Sequence, residues 1–237
     1  MSEVPATTRN VIPFGMTQAE ALKMDPNVTA TSFGYISAEY TVPEAPIPGL
    51  TYLRDFIREE EEAALLSEVE SGPWDEENKS RRTKQYGYTF HWRNRRSNAL
   101  RAAENGMPCS SEAPLKRLEE LGLIPNAHFD QCIVNDYQGG QGIRAHRDRE
   151  FFGDLVLGIS LLEAVIMDFR CIRSGEVRAL LLEPRSVLLL TGEARWQWQH
   201  GISAAPKLLY RGAVLLRNRR TSLTFRTIAD ESVVEMG

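Results

Sequence analysis

The chain has 237 residues, 42% hydrophobic and 25% charged, with a net charge of -4. That is an ordinary globular composition with room for one large domain and a tail, and no apolar run is long enough to span a bilayer as a helix. The negative balance argues against a protein that coats nucleic acid through bulk positive charge.

Residues 1–45 are polar, mix Thr, Ser, Asn and Pro, and show no sustained periodicity, so a mobile tail is expected. The first residues lack the charged-then-apolar layout of a secretory signal, and an intracellular location, cytoplasmic or nuclear, is the corresponding expectation. Cys109, Cys132 and Cys171 agree with it, being widely spaced and forming neither a CxxC pattern nor an even disulfide set.

The folded domain is expected over 46–237. PIPGLTYLRDFI reads as a short strand, and IREEEEAALLSEVES as a helix with Ala64, Leu65 and Val69 on its apolar side. Four consecutive glutamates near the positive N-terminal end read as a solvated face. Charge is locally segregated: Asp55 to Glu77 holds ten acids and one base, whereas Lys79 to Ala103 holds eight bases and no acid. This basic stretch interleaves Arg81, Arg82, Lys84, Arg93, Arg95 and Arg96 with Tyr86, Tyr88, Phe90, His91 and Trp92. Cations meet phosphates and aromatic rings stack on bases, so a local nucleic-acid footprint over 79–103 is one reading, and a basic hairpin with its rings packed inward is the other. A second helix is expected over 111–122, capped by Ser110 or Ser111, with Leu115, Leu118 and Leu121 at helical spacing.

Beyond residue 127 the pattern becomes short β-forming runs broken by Gly, Asp and Pro: HFDQCIVNDY, IRAHRD, LVLGISL, AVIMDFR, EVRALLL, RSVLLLT, RWQWQHGI and RTSLTFRTI. The expected class is mainly β with flanking helices, a sandwich or barrel. In AHRDRE, His146 and Asp148 are two apart, so an extended chain projects both to one side. His200 follows on RWQWQHGI, a run read as a strand in which Trp196, Trp198 and His200 share one face, so a distant strand could supply a third ligand beside an apolar wall. Two imidazoles and a carboxylate can hold iron and leave positions open for oxygen chemistry, although the same ligand types also hold zinc in hydrolases. On the last strand Arg220, Ser222, Thr224 and Arg226 share one face and Leu223 and Phe225 the other, which would give a cavity wall carrying two cations suited to a dicarboxylate.

Asn135 and Tyr137, then His146 and Asp148, then His200, then Arg220 and Arg226 together resemble the motif series of the AlkB family of Fe(II) and 2-oxoglutarate dioxygenases, over about 46–230. The resemblance implies a double-stranded β-helix (jelly roll) with an N-terminal helical and lid region, residues 79–103 being the substrate lid. It implies Fe(II) on His146, Asp148 and His200. Tyr137 and Arg220 would meet the distal carboxylate of 2-oxoglutarate, with Asn135 and Arg226 at its metal-bound end and O2 as second co-substrate. The implied activity is oxidative demethylation of N-methylated bases in DNA or RNA, with nucleic acid as substrate. Tyr88 and Trp92 are candidate substrate contacts, and Glu150 matches the acid with which base-repairing members touch an exocyclic amine. FFGDLVLGISL and RRTKQYGYTF resemble instead the members that hydroxylate a modified wobble uridine in transfer RNA, the alternative activity. A catalytically silent jelly-roll binding module is the third reading.

Overall fold

The computed structural model describes residues 47–75, 78, 80–90, 100–103, 105–210, 213–230, 232 and 234. The expected tail and Arg93, Arg95, Arg96, His91 and Trp92 lie outside them. In chain order the elements are β1 (Leu50–Leu53), α1 (Glu59–Glu70), β2 (Arg82–Phe90), β3 (Leu100–Ala102), a 3-10 turn (Cys109–Ser111), α2 (Glu112–Glu120), β4 (Gln131–Tyr137), β5 (Ile143–His146), β6 (Phe152–Leu161), β7 (Val165–Cys171), β8 (Val177–Leu182), β9 (Ser186–Leu190), α3 (Gly192–Trp196), β10 (Trp198–Ile202), β11 (Lys207–Tyr210), β12 (Ala213–Leu216) and β13 (Arg220–Ile228). No described helix is long and apolar enough to cross a membrane.

A seven-stranded sheet runs β1-β9-β6-β13-β4-β2-β3 and a four-stranded sheet runs β5-β10-β7-β8, while β11 and β12 form a separate pair. The mainly β jelly-roll class is therefore as expected. Strand alternation sorts the side chains of the large sheet into two layers. Val134, Leu157, Val187, Leu189, Leu223 and Phe225 face the helices and pack with Phe56, Leu65, Val69 and Leu118. Val156, Leu188 and Leu190 face the small sheet and meet Val165, Met167, Phe169 and Trp198.

The helices differ from expectation in detail. On α1, Leu65 and Val69 are buried but Ala64 is exposed. Its glutamates are not merely solvated. Arg117 of α2 pairs with Glu61, Glu62 accepts from the Leu162 amide at 2.8 Å, and Glu68 accepts from the Cys109 and Ser110 amides at 2.9 and 2.8 Å. On α2, Leu118 is buried while Leu121, at the helix end, is exposed, and Ser111 provides no side-chain cap. The three cysteines are free.

Part of the basic stretch forms β2, which joins the large sheet beside β4, and several of its cations are used inside the fold. Lys84 is buried and its Nζ donates to the carbonyls of Val69 (2.5 Å) and Ser71 (2.8 Å), satisfying the exposed end of α1. Arg82 and Arg219 both pair with Asp136, whose side chain is wholly buried, at 2.7 and 2.8 Å, and Thr221 donates to the same carboxylate at 2.9 Å. Burial works to raise the Asp136 carboxyl, but hydrogen bonds from Arg219, Arg82 and Thr221 overcome it and hold the group below its ordinary value. Tyr86 sits in the helix-side core.

Candidate metal centre and co-substrate cavity

His146 ends β5, Asp148 follows it in the connecting loop, and His200 lies on β10 directly opposite His146. The two rings are 4.6 Å apart by centroid, and the donor atoms of the three residues all lie within 4.8 Å of one another. This close pairing needs Gly201: a Cβ there would meet the Ala145 amide nitrogen at 2.8 Å and Cα at 2.9 Å, so β5 can approach β10 only past a bare backbone.

His146 Nδ1 lies 2.8 Å from the Arg144 carbonyl, a contact that requires Nδ1 to carry the proton and leaves Nε2 to face the cluster. Burial pushes both imidazoles down, His200 to about 4, so they stand neutral at physiological pH. Burial also opposes ionisation of Asp148, but Arg226 and then the two histidines hold its carboxyl well below the usual range. Arg226 pairs with Oδ1 of Asp148. Oδ2 is buried without a hydrogen-bond partner, 3.6 Å from His200 Nε2. Two neutral imidazoles and an ionised carboxylate with one orphaned oxygen turned towards them are the donor set a divalent metal needs.

Behind the triad lies an inner cavity of about 100 Å³ between the sheets. As expected, Arg220, Ser222, Thr224 and Arg226 line it from β13, while Leu223 and Phe225 turn to the helix side. Asn135 and Tyr137 line it from β4. Arg220 donates from Nη2 to Ser160 Oγ at 2.7 Å and lies 5.6 Å from the Tyr137 ring centre. Its Nε and Nη1 are buried without partners, and burial pushes its pKa down to about 10. A buried cation with two idle donors fits an anionic ligand group. Asn135 Oδ1 accepts from Arg81 Nε at 2.6 Å, so Arg81, read from sequence as a phosphate contact, belongs to the site wall. Ile133, Met167 and Leu188 supply apolar surface.

An outer cleft of about 1240 Å³ meets the inner cavity at His146 and Arg226, ample for a nucleobase. Neither Tyr88 nor Glu150 lines it. Tyr88 packs beside Leu100, Phe151 and Phe152. Glu150 is 79% exposed and accepts from Arg147 at 3.0 Å.

The segment before His200 also departs from the all-strand reading. Residues 192–196 form α3, so Trp196 does not share a strand face with His200. Its indole donates to Asp154 at 2.9 Å, while Trp198 alone joins the core. The short helix positions Arg195, which sequence reasoning passed over. Its guanidinium is buried and donates to the carbonyls of Asp148 (3.2 Å), Arg149 (2.8 Å), Phe152 (3.2 Å) and Gly153 (3.2 Å), closing the loop that carries the carboxylate ligand. Ser160 was passed over as well, although its alternation with Gly158 on β6 already turned it inward.

Two facing antiparallel sheets with a His–Asp–His cluster between them and a cationic cavity behind it define a jelly-roll metal oxygenase. Comparison with known proteins narrows this. A model described as the 2OG-Fe(II) oxygenase superfamily matches residues 49–226. Over 172 residues the chain is 34% identical to the tRNA (carboxymethyluridine(34)-5-O)-methyltransferase alkbh8 of Xenopus tropicalis, covering 70% of this chain and 26% of the relative. Over 211 residues it is 34% identical to a protein of Arabidopsis thaliana named alkylated DNA repair protein ALKBH8 homolog, covering 78% and 60%. A solved structure, described as that of OsALKBH1, shares the fold with a TM-score of 0.60 at 18% identity, over 76% of this chain and 97% of that one. The chain thus spans about a quarter of the Xenopus relative's length.

The chain belongs to the 2OG-Fe(II) oxygenase superfamily and, within it, to the AlkB homologue family. It is an Fe(II)- and 2-oxoglutarate-dependent dioxygenase, and the intact triad sets aside the silent binding module.

Proposed function

We propose that this dioxygenase oxidises a C–H bond of a modified nucleobase, with the wobble uridine of transfer RNA as the favoured substrate. The observation that carries the choice is Glu150. The demethylation reading leaned on this acid to meet a base amine, but its side chain is 79% exposed, pairs with Arg147 and is not among the residues that line the cleft. The relative named for carboxymethyluridine 34 of transfer RNA supports the same choice. Oxidative demethylation of N-methylated bases in DNA or RNA is the second reading, favoured by the Arabidopsis relative named for alkylated DNA repair.

In this proposal His146, Asp148 and His200 would hold iron, which together with 2-oxoglutarate and O2 would supply the oxidising power. The protein's own groups bind and aim. Arg220, with Tyr137 and Ser160 beside it, receives the distal carboxylate through its two idle donors. Asn135 and Arg226, which also line the cavity, would attend the metal-bound end of the co-substrate, and Arg226 pairs with Asp148 as well. Ile133, Met167 and Leu188 exclude water from the cavity. In the same proposal residues 46–237 would be the catalytic domain and 1–45 a tail, and of the strip 79–103 Trp92, which lies outside the described residues, is the candidate substrate contact, Tyr88 being packed with Leu100, Phe151 and Phe152.

The test supplies enzyme, iron, 2-oxoglutarate and O2 with total transfer RNA and, in parallel, with N-methylated oligonucleotides, and weighs the nucleosides. Gain of one oxygen on a transfer-RNA uridine is the expected result. Loss of a methyl carbon would replace the first reading by the second, and no nucleoside change with either substrate would remove both.

A further inference from the structure

The segment that carries two metal ligands, Arg144-Ala-His-Arg-Asp-Arg149, also carries three arginines. Backbone geometry separates the two sets. His146 turns inward opposite His200, and the pairing of β5 with β10 is irregular just before it, between the His146–His200 and Ile143–Ile202 pairs, where Arg144 becomes exposed. On β7 the same division occurs, with Met167 and Phe169 in the core and Asp168 and Arg170 turned to the other face. Arg144, Arg147, Arg149 and Arg170 all line the outer cleft, contributed by β5, the loop after it and β7.

Several of the charges lining that cleft already have partners. Arg226 is held by Asp148 and Arg81 by Asn135. Arg147 is tethered to the Trp196 carbonyl at 2.9 Å and to Glu150. Asp168 also lines the cleft, and no lysine or glutamate does so among the described residues. A protein with a net charge of -4 has thus concentrated arginine beside its metal ligands. Guanidinium forks match phosphate oxygens, and a concave site lined by one sign focuses the field on an anionic partner.

We infer that this arginine rim, on the outer side of β5 and β7 with Arg144 and Arg170 exposed on it, is the track for the phosphate backbone of a single-stranded nucleic-acid segment. The inference rests on the nucleic-acid reading above. It moves the main backbone contacts away from Arg81, Arg82 and Lys84, which are occupied by Asn135, Asp136 and the end of α1. A nucleotide whose base enters the cleft past the edge strand β5 would leave its flanking phosphates over this rim.

The test measures affinity for transfer RNA and for a single-stranded RNA oligonucleotide across a salt series. It compares wild type, Arg144→Gln, Arg170→Gln, the double variant, and Lys116→Gln, which removes one charge from exposed α2. The double variant should bind about tenfold more weakly and lose roughly 1.4 from the slope of log affinity against log salt on the oligonucleotide, about 0.7 per lost phosphate contact. Lys116→Gln should match wild type. Wild-type affinity and slope in the double variant would overturn the rim while leaving the nucleic-acid reading intact. Equal weakening by Lys116→Gln would reduce the rim to general charge and overturn it too. If wild type binds neither RNA, the substrate reading fails and the rim with it.

Discussion

The Arg195 guanidinium donates at 3.2 Å to the main-chain carbonyl of Asp148, so the carboxylate ligand is held by a residue 47 positions later in the chain. Three further carbonyls of the same loop share that guanidinium, and its plane lies 4.0 Å from the Trp196 ring centre. These bonds tie down the loop after β5 that carries Asp148.

Arg195→Met should lower affinity for Co(II), a spectroscopic stand-in for iron, by about 10- to 100-fold, in the range found for groups that orient metal ligands. Arg195→Lys should recover part of it, since an ammonium reaches some of the four carbonyls. Unchanged Co(II) affinity in Arg195→Met, read from its absorption titration, would assign the residue to packing alone.

His146→Ala and Asp148→Ala should each abolish succinate formation from 2-oxoglutarate. Succinate made at the wild-type rate by either purified variant would dismiss the triad as the metal site.

Arg220→Met removes a buried cation with two unpartnered donors. Replacing an unpaired buried charge by an apolar side chain relieves desolvation, so the ligand-free variant should melt no lower than wild type. Its apparent KM for 2-oxoglutarate should rise by about thirtyfold or more, the cost of losing a buried charge partner in binding. A large loss of melting temperature with an unchanged KM would reverse the assignment.

Asp136→Asn breaks the pairs to Arg82 and Arg219. Both arginines are partly exposed, so the loss is discounted to about 2 kcal/mol. The folded carboxyl lies below its ordinary value. Its contribution is therefore complete above the unfolded pKa of about 3.9 and fades as pH falls through the lower folded value. Urea midpoints should separate the two proteins at pH 7 and converge below about pH 4; a gap independent of pH would mean the carboxylate charge is not what stabilises.

Gly201→Ala places a methyl against the Ala145 backbone, which cannot move aside cheaply. A cost of about 1–3 kcal/mol is expected, together with weaker Co(II) binding as His146 is pushed from His200. Intact metal binding would show that β5 yields without disturbing the pair.

Local spacing was enough to read the inward polar face of Arg220 to Arg226 and the β-rich class, which depend on the two-residue alternation of an extended chain, and it brought His146 and Asp148 together although Asp148 lies in the loop just past the strand. Residue type added the ligand chemistry, and the motif series added the family. The missed pieces depend on partners far away in sequence. Whether a basic residue of β2 is free for phosphate was decided by Asn135 and Asp136, 54 positions on, and by the carbonyls that end α1. The helix at 192–196 replaced a strand that alternation permitted, and only there does Arg195 reach the Asp148 loop. The direction of Glu150 followed from the turn after Asp148, which no periodicity encodes. Sequence alone thus determined which side chains share a face; the tertiary structure decided which of them remain unpaired, because a buried charge is neutralised by whatever group the packed chain brings within reach.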